Sequence, residues 1–200
     1  LGSYAMYNCD ALRYIEIPNG VTLISNYAFY DCDVLTNVKL HSNVTNIGDY
    51  AFYSCGKLKN VDLPEKLKTV GEHAFVACQS FTSISIPDTV TEIGDYGFNN
   101  CQNVTSVKLG SSLKTIGAFA FVNWKVEELI IPNSVTSIGE GALYGCNSLK
   151  ELSIPFVGQS RTATYYKAVF GYIFGYEEDS SNGFSNDSEK CYYLNTSNYE

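Results

Sequence analysis

The chain has 200 residues, of which 45% are hydrophobic and 17% are charged, a composition typical of a folded globular protein of one or two domains. Acidic residues outnumber basic ones by 21 to 13, for a net charge of -8, so the sequence excludes the basic surface that nucleic acids require. Apolar runs are interrupted by charges well before the ~18 residues of a membrane span. We therefore expect no nucleic acid partner and no membrane insertion in this segment.

One motif recurs along the whole first part of the chain. Its marker is a cysteine that is replaced once by tryptophan, and the markers are Cys9, Cys32, Cys55, Cys78, Cys101, Trp124 and Cys146. They are 23 residues apart five times and then 22 apart, with apolar residues in fixed slots between them. This pattern predicts a solenoid, in which successive coils stack on one another.

Each repeat begins with a short strand. Apolar residues alternate at a period of two, as Val38 and Leu40 do, and such half-buried strands should pair in parallel between coils. A proline often follows and ends the hydrogen-bonded ladder, because it has no backbone N–H. These prolines are Pro18, Pro64, Pro87, Pro132 and Pro155.

A second short extended segment and a turn complete the repeat. The glycine after the second segment is expected to turn the corner with a positive φ, and these glycines are Gly48, Gly71, Gly94, Gly117 and Gly139. The apolar residues of Ala-Phe-x-x-Cys lie at i, i+1 and i+4, which predicts one helical turn with its apolar side inward. The expected fold is an α/β solenoid whose coils advance by about 4.8 Å.

The repeats cover residues 1–155, about six complete coils. The first residues align with the middle of a repeat, so we expect an N-terminus cut within a repeat and self-association through uncapped repeat ends. Residues 156–191 are not repetitive and form either an insertion between coils or a C-terminal cap. They contain an apolar stretch suited to docking on the last coil and a polar, acidic loop at 177–189, and residues 192–200 are interpreted as the start of a further coil.

The repeat C-x-x-L-x-x-I-x-I-P-x-x-V-x-x-I-G-x-x-A-F-x-x-C resembles that of BspA-like surface proteins, which have Treponema pallidum-type leucine-rich repeats. The resemblance implies a right-handed leucine-rich-repeat superhelix with a parallel β-sheet on one face, short second strands and single helical turns. It also implies a secreted or cell-surface protein that binds macromolecules of a host or a neighbouring cell. It does not identify the ligand.

The cysteines are interpreted as core packing. Side chains on stacked coils run parallel, which disfavours disulfides and prevents four ligands from converging on a metal. Trp124 interrupts the row where one residue is deleted, and Cys191 lies outside it. The acidic loop 177–189 lacks the spacing of an EF-hand. We therefore expect no cofactor and no metal.

No catalytic group can be assembled from the sequence. His41 and His73 occupy different slots on different coils, so no nucleophile and histidine pair follows. Glu128 and Glu151 occupy the same slot on adjacent coils, but nothing in the sequence indicates a cleft beside them. We expect a protein that is not an enzyme.

An aromatic stripe is the best candidate for a functional surface. An aromatic residue or histidine precedes most of the Ala-Phe pairs, and a tyrosine three positions further on often shares its outward side. The predicted partner surface consists of Tyr27, Tyr30, Tyr50, Tyr53 and Tyr96. Two interpretations stay open, a structural ladder of stacked rings and an exposed surface that binds a partner or stacks on sugars.

The repeat architecture favours binding over chemistry. An extended, regular surface offers area rather than a pocket, which suits large partners. We predict an extracellular or cell-surface adhesion module whose partner is a host or matrix protein, or a glycan. The alternative is a passive structural spacer within a larger surface protein.

Overall fold

The computed structural model describes residues 1–156, 158–164 and 170–175, which form a parallel β-solenoid. Its six coils each end at a marker: coil 1 (10–32), coil 2 (33–55), coil 3 (56–78), coil 4 (79–101), coil 5 (102–124) and coil 6 (125–146). The first strands are β1 (Tyr14–Glu16), β3 (Asn37–Lys39), β6 (Ser83–Ser85), β8 (Ser106–Lys108), β10 (Glu128–Ile130) and β12 (Glu151–Ser153). The second strands are β2 (Leu23–Ile24), β4 (Asn46–Ile47), β5 (Thr69–Val70), β7 (Glu92–Ile93), β9 (Thr115–Ile116) and β11 (Ser137–Ile138), and α1 is Phe170–Phe174.

The continuous parallel sheet is built from the second strands. One strand from each coil pairs with the next in the order β11-β9-β7-β5-β4-β2. Ile24 lies opposite Ile47, which lies opposite Val70, so the buried residues stack directly above one another. The first strands form three separate pairs, β1 with β3, β6 with β8 and β10 with β12. The sheet predicted from the first strands is therefore interrupted.

One interruption lies at coil 3, where residues 60–62 form no strand. The side chain of Asn60 takes over part of the ladder, because its Oδ1 accepts hydrogen bonds from the N–H groups of Thr82 at 3.0 Å and Ser83 at 3.3 Å. Phe81 occupies a slot that holds leucine in coils 1 to 3, and its ring lies 5.7 Å from that of Phe75.

The predicted helical turn is not confirmed. The segments that end at the markers are consecutive tight turns, whose N–H groups donate alternately within the segment and to the next coil. Tyr53 N–H donates to Tyr50 O at 3.3 Å, whereas Phe52 N–H donates to Ala74 O of the next coil at 2.8 Å. We call these segments the turn edge, and they are residues 1–9, 25–32, 48–55, 71–78, 94–101, 117–124 and 139–146. The right-handed winding of the superhelix stays a prediction.

The glycines after the second strands are required by the closeness of the coils. A Cβ on Gly94 would lie 2.7 Å from the backbone nitrogen of Glu72 and 2.8 Å from the carbonyl carbon of Gly71. The prediction of a positive φ at these glycines is wrong. The left-handed positions lie further along each turn-edge segment, as at Tyr50 (φ 56°) and Ser54 (φ 60°).

The marker residues donate hydrogen bonds inside the core. Cys55 Sγ donates to Phe29 O at 3.1 Å, and Trp124 Nε1 donates to Phe98 O at 3.0 Å in the equivalent position. The row therefore provides a buried donor for a buried carbonyl in addition to apolar volume, and the indole replaces the thiol in both respects. Cys9, Cys32, Cys55, Cys78 and Cys101 are free thiols, and burial raises the pKa of Cys78.

The non-repetitive segment docks on coil 6. Gly141 N–H donates to Tyr172 O and Leu143 N–H donates to Ile173 O, both at 2.7 Å, in the positions of bonds between coils. Both Tyr172 and Ile173 are buried. Residues 176–200, with the predicted acidic loop 177–189, Cys191 and the predicted coil at 192–200, lie outside the described residues. The choice between an insertion and a cap stays a prediction.

We expect Gly94→Ala to lower the free energy of unfolding by about 1–3 kcal/mol, because the new Cβ forces backbone of coil 3 and coil 4 apart. Gly20→Ala is the matched control, since a Cβ there meets nothing within 4 Å, and it should change stability by less than ~0.5 kcal/mol. Urea unfolding followed by circular dichroism measures both. Equal effects of the two variants would contradict the stacking role of Gly94.

Replacing Trp124 by 3-benzothienylalanine keeps the shape of the ring and removes its N–H. The carbonyl of Phe98 then loses the donor at 3.0 Å, and we expect a loss of about 1–3 kcal/mol in urea unfolding. Reincorporated tryptophan, introduced by the same suppression method, is the control. An unchanged unfolding midpoint would show that the marker slot requires volume alone.

Candidate functional site

The turn edge carries two rows of stacked side chains. The first row is Tyr4, Tyr27, Tyr50, His73, Tyr96 and Phe119, with 4.5 to 5.2 Å between successive ring centroids. The second row is Tyr7, Tyr30 and Tyr53, at 5.0 and 4.8 Å. The two rows touch, since the ring centroids of Tyr50 and Tyr53 are 5.7 Å apart. The predicted aromatic stripe is thus a double ladder in the structure.

The structure brings four of the five predicted tyrosines together. Tyr27, Tyr30, Tyr50 and Tyr53 form one block of four rings across coils 1 and 2. Tyr96 lies in the first row but is separated from this block by His73. The side chains are half-buried, because neighbouring rings cover their faces.

Ring stacking decides which part of each tyrosine a partner can reach. Tyr27 and Tyr50 are nearly parallel, with an angle of 3° between their planes, so their faces cover each other. The edges and hydroxyl groups are left toward solvent. Burial and the neighbouring tyrosines raise the pKa of Tyr27, so its hydroxyl is a neutral donor and acceptor at pH 7.

Every residue of the first row is in the left-handed region. Tyr27, Tyr50, His73 and Tyr96 have φ between 54° and 59°, which is strained for residues with a Cβ. Backbone hydrogen bonds to the next coil hold these residues in place. Tyr50 N–H, for example, donates to Glu72 O at 2.8 Å, and Phe52 N–H donates to Ala74 O at 2.8 Å. The rings are therefore fixed by the backbone as well as by their own contacts.

His73 is a departure within the first row. Its ring stacks between Tyr50 and Tyr96 at 4.5 Å on each side, and its buried Nδ1 has no hydrogen-bond partner in the described residues. Burial lowers the pKa of His73, although the carboxylates of Glu72, Asp95 and Asp49 act in the opposite direction. The imidazole is consequently neutral in the folded protein at pH 7.

The charged side chains of the turn edge are all negative. Its seven segments contain none of the 13 lysines and arginines of the chain. The acidic residues of the turn edge are Asp31, Asp49, Glu72, Asp95 and Glu140. Asp49 also joins coils, because its Oδ1 accepts a hydrogen bond from Glu72 N–H at 3.0 Å. The charged side chains within the turn edge are thus all carboxylates.

A groove of about 750 Å³ lies on the face of the first strands, between β8 and β10. Its lining includes Val107, Lys108, Leu109, Glu128 and Ile130. No groove beside Glu128 was expected from the sequence. Glu128 and Glu151 are in register on β10 and β12 as predicted, but only Glu128 lines the groove.

The groove lies where the repeat loses one residue. Coil 6 has 22 residues, and its Glu127 aligns with Thr105 of coil 5. The hydrogen bond to coil 5 is made two residues before Glu127, because Lys125 N–H donates to Val104 O at 2.9 Å. The chain is therefore tied to coil 5 before the strand begins, and β8 and β10 separate. The spacing of 22 and the isoleucine at 130 were the signals that could have indicated this site.

No group of three or more histidine, cysteine or carboxylate side chains in the described part of the chain is arranged to hold a metal ion. In the same part, no helix has the length and apolar character needed to cross a membrane.

The comparisons with known proteins agree with this architecture. The sequence pattern of the BspA type leucine rich repeat region matches residues 1–90 and 68–171, in six copies. The chain belongs to this family. No curated protein matches the chain by sequence.

Solved leucine-rich repeat proteins share the fold. A leucine-rich repeat protein from Bacteroides ovatus is 29% identical with a TM-score of 0.63, over 80% of this chain and 47% of its own. The Treponema pallidum leucine-rich repeat protein is 26% identical with a TM-score of 0.60, over 76% and 60%. A leucine rich cell surface protein from Faecalibacterium prausnitzii is 27% identical with a TM-score of 0.60, over 70% and 47%. The BspA-type chain thus spans about half to three fifths of these relatives.

We expect the BspA-type chain to lose stability as the pH falls below about 6.5, the ordinary pKa of histidine. The unfolded chain then binds a proton on residue 73 that the folded chain excludes, since the folded pKa is lowered. The contribution of the neutral His73 to the free energy of unfolding is complete above this pH and decreases toward pH 5. Urea midpoints between pH 7.5 and 5 measure it.

His73→Tyr is the control, because tyrosine occupies this slot at Tyr27, Tyr50 and Tyr96 with the same backbone conformation. The variant should show a flatter dependence on pH over this range. The account of His73 is contradicted when both proteins lose stability with the same slope.

Proposed function

We propose that this chain is a non-enzymatic binding or adhesion module, secreted or displayed at the cell surface, that recognises a macromolecular partner through the turn edge. The observation that carries the proposal is the double aromatic ladder, in which half-buried tyrosines are held at a fixed spacing. Tyrosine is enriched in the energetic centres of protein interfaces. The location is supported by the similar Faecalibacterium prausnitzii protein, which is described as a cell surface protein.

A protein is favoured over a glycan as the partner. Stacking of a sugar requires a free ring face, and the faces of Tyr27 and Tyr50 cover each other. Edges and hydroxyl groups suit hydrogen bonds to a polypeptide. Because the charged side chains of the turn edge are all carboxylates, the complementary surface is a positively charged one on a host or matrix protein.

The alternative function as a spacer also has a structural basis. The second strands pair without interruption from β2 to β11, which makes the solenoid a stiff rod. A rod that only separates other domains needs no particular side chains on its surface. The two functions therefore differ in whether the hydroxyl groups of the turn edge matter.

We expect the triple variant Tyr27→Phe, Tyr50→Phe and Tyr96→Phe to bind at least about tenfold more weakly to its partner, since each lost hydrogen bond contributes ~1 kcal/mol. Stacking and fold should be unchanged. Biolayer interferometry against a panel of extracellular-matrix proteins, with a glycan array beside it, measures binding.

Tyr14→Phe is the matched control, because Tyr14 is 53% exposed on the face of the first strands, away from the turn edge. It should bind like the unchanged protein. Equal binding by the triple variant, or no binding to any panel member, would favour the spacer.

A further inference from the structure

The corner between the two strands of coil 1 consists of an asparagine followed by a glycine. Asn19 and Gly20 lie between β1 and β2, and both are exposed. Val21 N–H donates to Pro18 O at 3.0 Å, so the pair occupies the two central positions of a tight turn. An asparagine side chain and the backbone nitrogen that follows it are thus presented to solvent together.

The side-chain amide of Asn19 does not hold the coils together. Seven other asparagines donate from Nδ2 to a neighbouring coil, and they are Asn26, Asn43, Asn46, Asn60, Asn99, Asn103 and Asn123. Within the described residues Asn19 takes part only through its backbone oxygen, which accepts from Asn43 Nδ2 at 3.2 Å. Its own amide is therefore free to react.

The backbone nitrogen of Gly20 is also unobstructed. In the described part of the chain its N–H donates no hydrogen bond. A Cβ on Gly20 would meet nothing within 4 Å, so the corner has room for an additional ring. Because glycine has no Cβ, its nitrogen can approach the preceding side chain closely. A nucleophilic nitrogen and an amide carbon are thus both accessible at this corner.

We propose that Asn19-Gly20 is a site of spontaneous self-modification, at which asparagine is converted to isoaspartate and aspartate. The Gly20 nitrogen attacks Cγ of Asn19, and the new bond closes a succinimide ring. The bond between Cγ and Nδ2 breaks, and Nδ2 leaves as ammonia with the proton of the Gly20 N–H. Water then opens the ring. Opening at the main-chain carbonyl carbon gives isoaspartate, and opening at Cγ gives aspartate.

The products change both the charge and the backbone of the corner. Each product adds a negative charge, and the main chain of isoaspartate runs through Cβ and Cγ, which lengthens the turn. The bonds from Val21 N–H to Pro18 O and from Asn43 Nδ2 to Asn19 O depend on the shape of this turn. We therefore expect a weaker contact between coils 1 and 2. The corner is not part of the turn edge, so this inference goes beyond the proposed function.

Ageing of the purified protein at pH 8 and 37 °C, followed by trypsin digestion and mass spectrometry, tests the site. Peptide 14–39 should gain about 1 Da at Asn19, and electron-transfer fragmentation identifies isoaspartate. The other such pair, Asn182-Gly183, lies outside the described residues and in a different tryptic peptide. The rate should lie within about tenfold of that of the capped peptide Ile-Pro-Asn-Gly-Val, because exposed turns open readily. An unmodified Asn19 after full conversion of this reference would overturn the proposal.

Gly20→Ala is the variant that blocks the reaction, since the new side chain fills open space. It should slow the modification of Asn19 at least about tenfold, because a Cβ obstructs the attacking nitrogen. Equal rates with and without the substitution would overturn the proposal.

Coil 6 provides a matched control within the same molecule. Its corner reads Ile-Pro-Asn-Ser-Val, and Val135 N–H donates to Pro132 O at 3.0 Å as in coil 1. Asn133 should stay unmodified while Asn19 converts, and Ser134→Gly should raise its rate toward that of Asn19. Equal conversion of the two asparagines in the unchanged protein, or no effect of Ser134→Gly, would contradict the assignment.

Urea unfolding tests the effect on the coils. Aged protein should have a lower midpoint than fresh protein, whereas the aged Gly20→Ala variant should keep its midpoint. Conversion at Asn19 without a change of midpoint, or an equal loss in both proteins, would overturn the predicted weakening of the contact between coils 1 and 2.

Discussion

The hydrogen bonds and close contacts between the backbones of successive coils are the constraint on which this solenoid depends. They bring Gly94 so near to coil 3 that a Cβ would lie 2.7 Å from Glu72 nitrogen. They also hold Tyr50 and its equivalents at positive φ, which an isolated turn would not favour for an aromatic residue. The stacked tyrosines follow from this geometry, since rings on adjacent coils are placed 4.8 Å apart.

The same constraint accounts for both candidate surfaces. Where the pairing between coils is complete, at the turn edge, it produces a rigid double row of aromatic side chains bordered by carboxylates. Where one residue is missing, the pairing between β8 and β10 fails and leaves a groove of about 750 Å³. Trp124 shows how the core tolerates that change, because its N–H continues the row of bonds made by the cysteine thiols.

Periodicity predicted the solenoid, its six coils and its aromatic rows, because each depends on a residue type that recurs at a fixed interval. It did not predict the tight turns, since the Ala-Phe-x-x-Cys spacing fits a helical turn as well as a series of turns paired to the next coil. Gly94 was assigned the wrong role because a sequence does not distinguish dihedral freedom from close approach. The groove was missed because it arises from the relation between two coils, although the shorter spacing and Ile130 were visible.

Hydrogen exchange of the native protein, measured by NMR, tests most directly whether pairing between coils determines these surfaces. The account predicts that the amides of Phe29, Phe52 and Phe75 are protected like those of the second strands, because they donate to the next coil at 2.8 Å. It also predicts that Leu109 exchanges much faster than Ile86, its equivalent with a partner. Fast exchange along the whole turn edge, or equal protection of Leu109 and Ile86, would contradict the account.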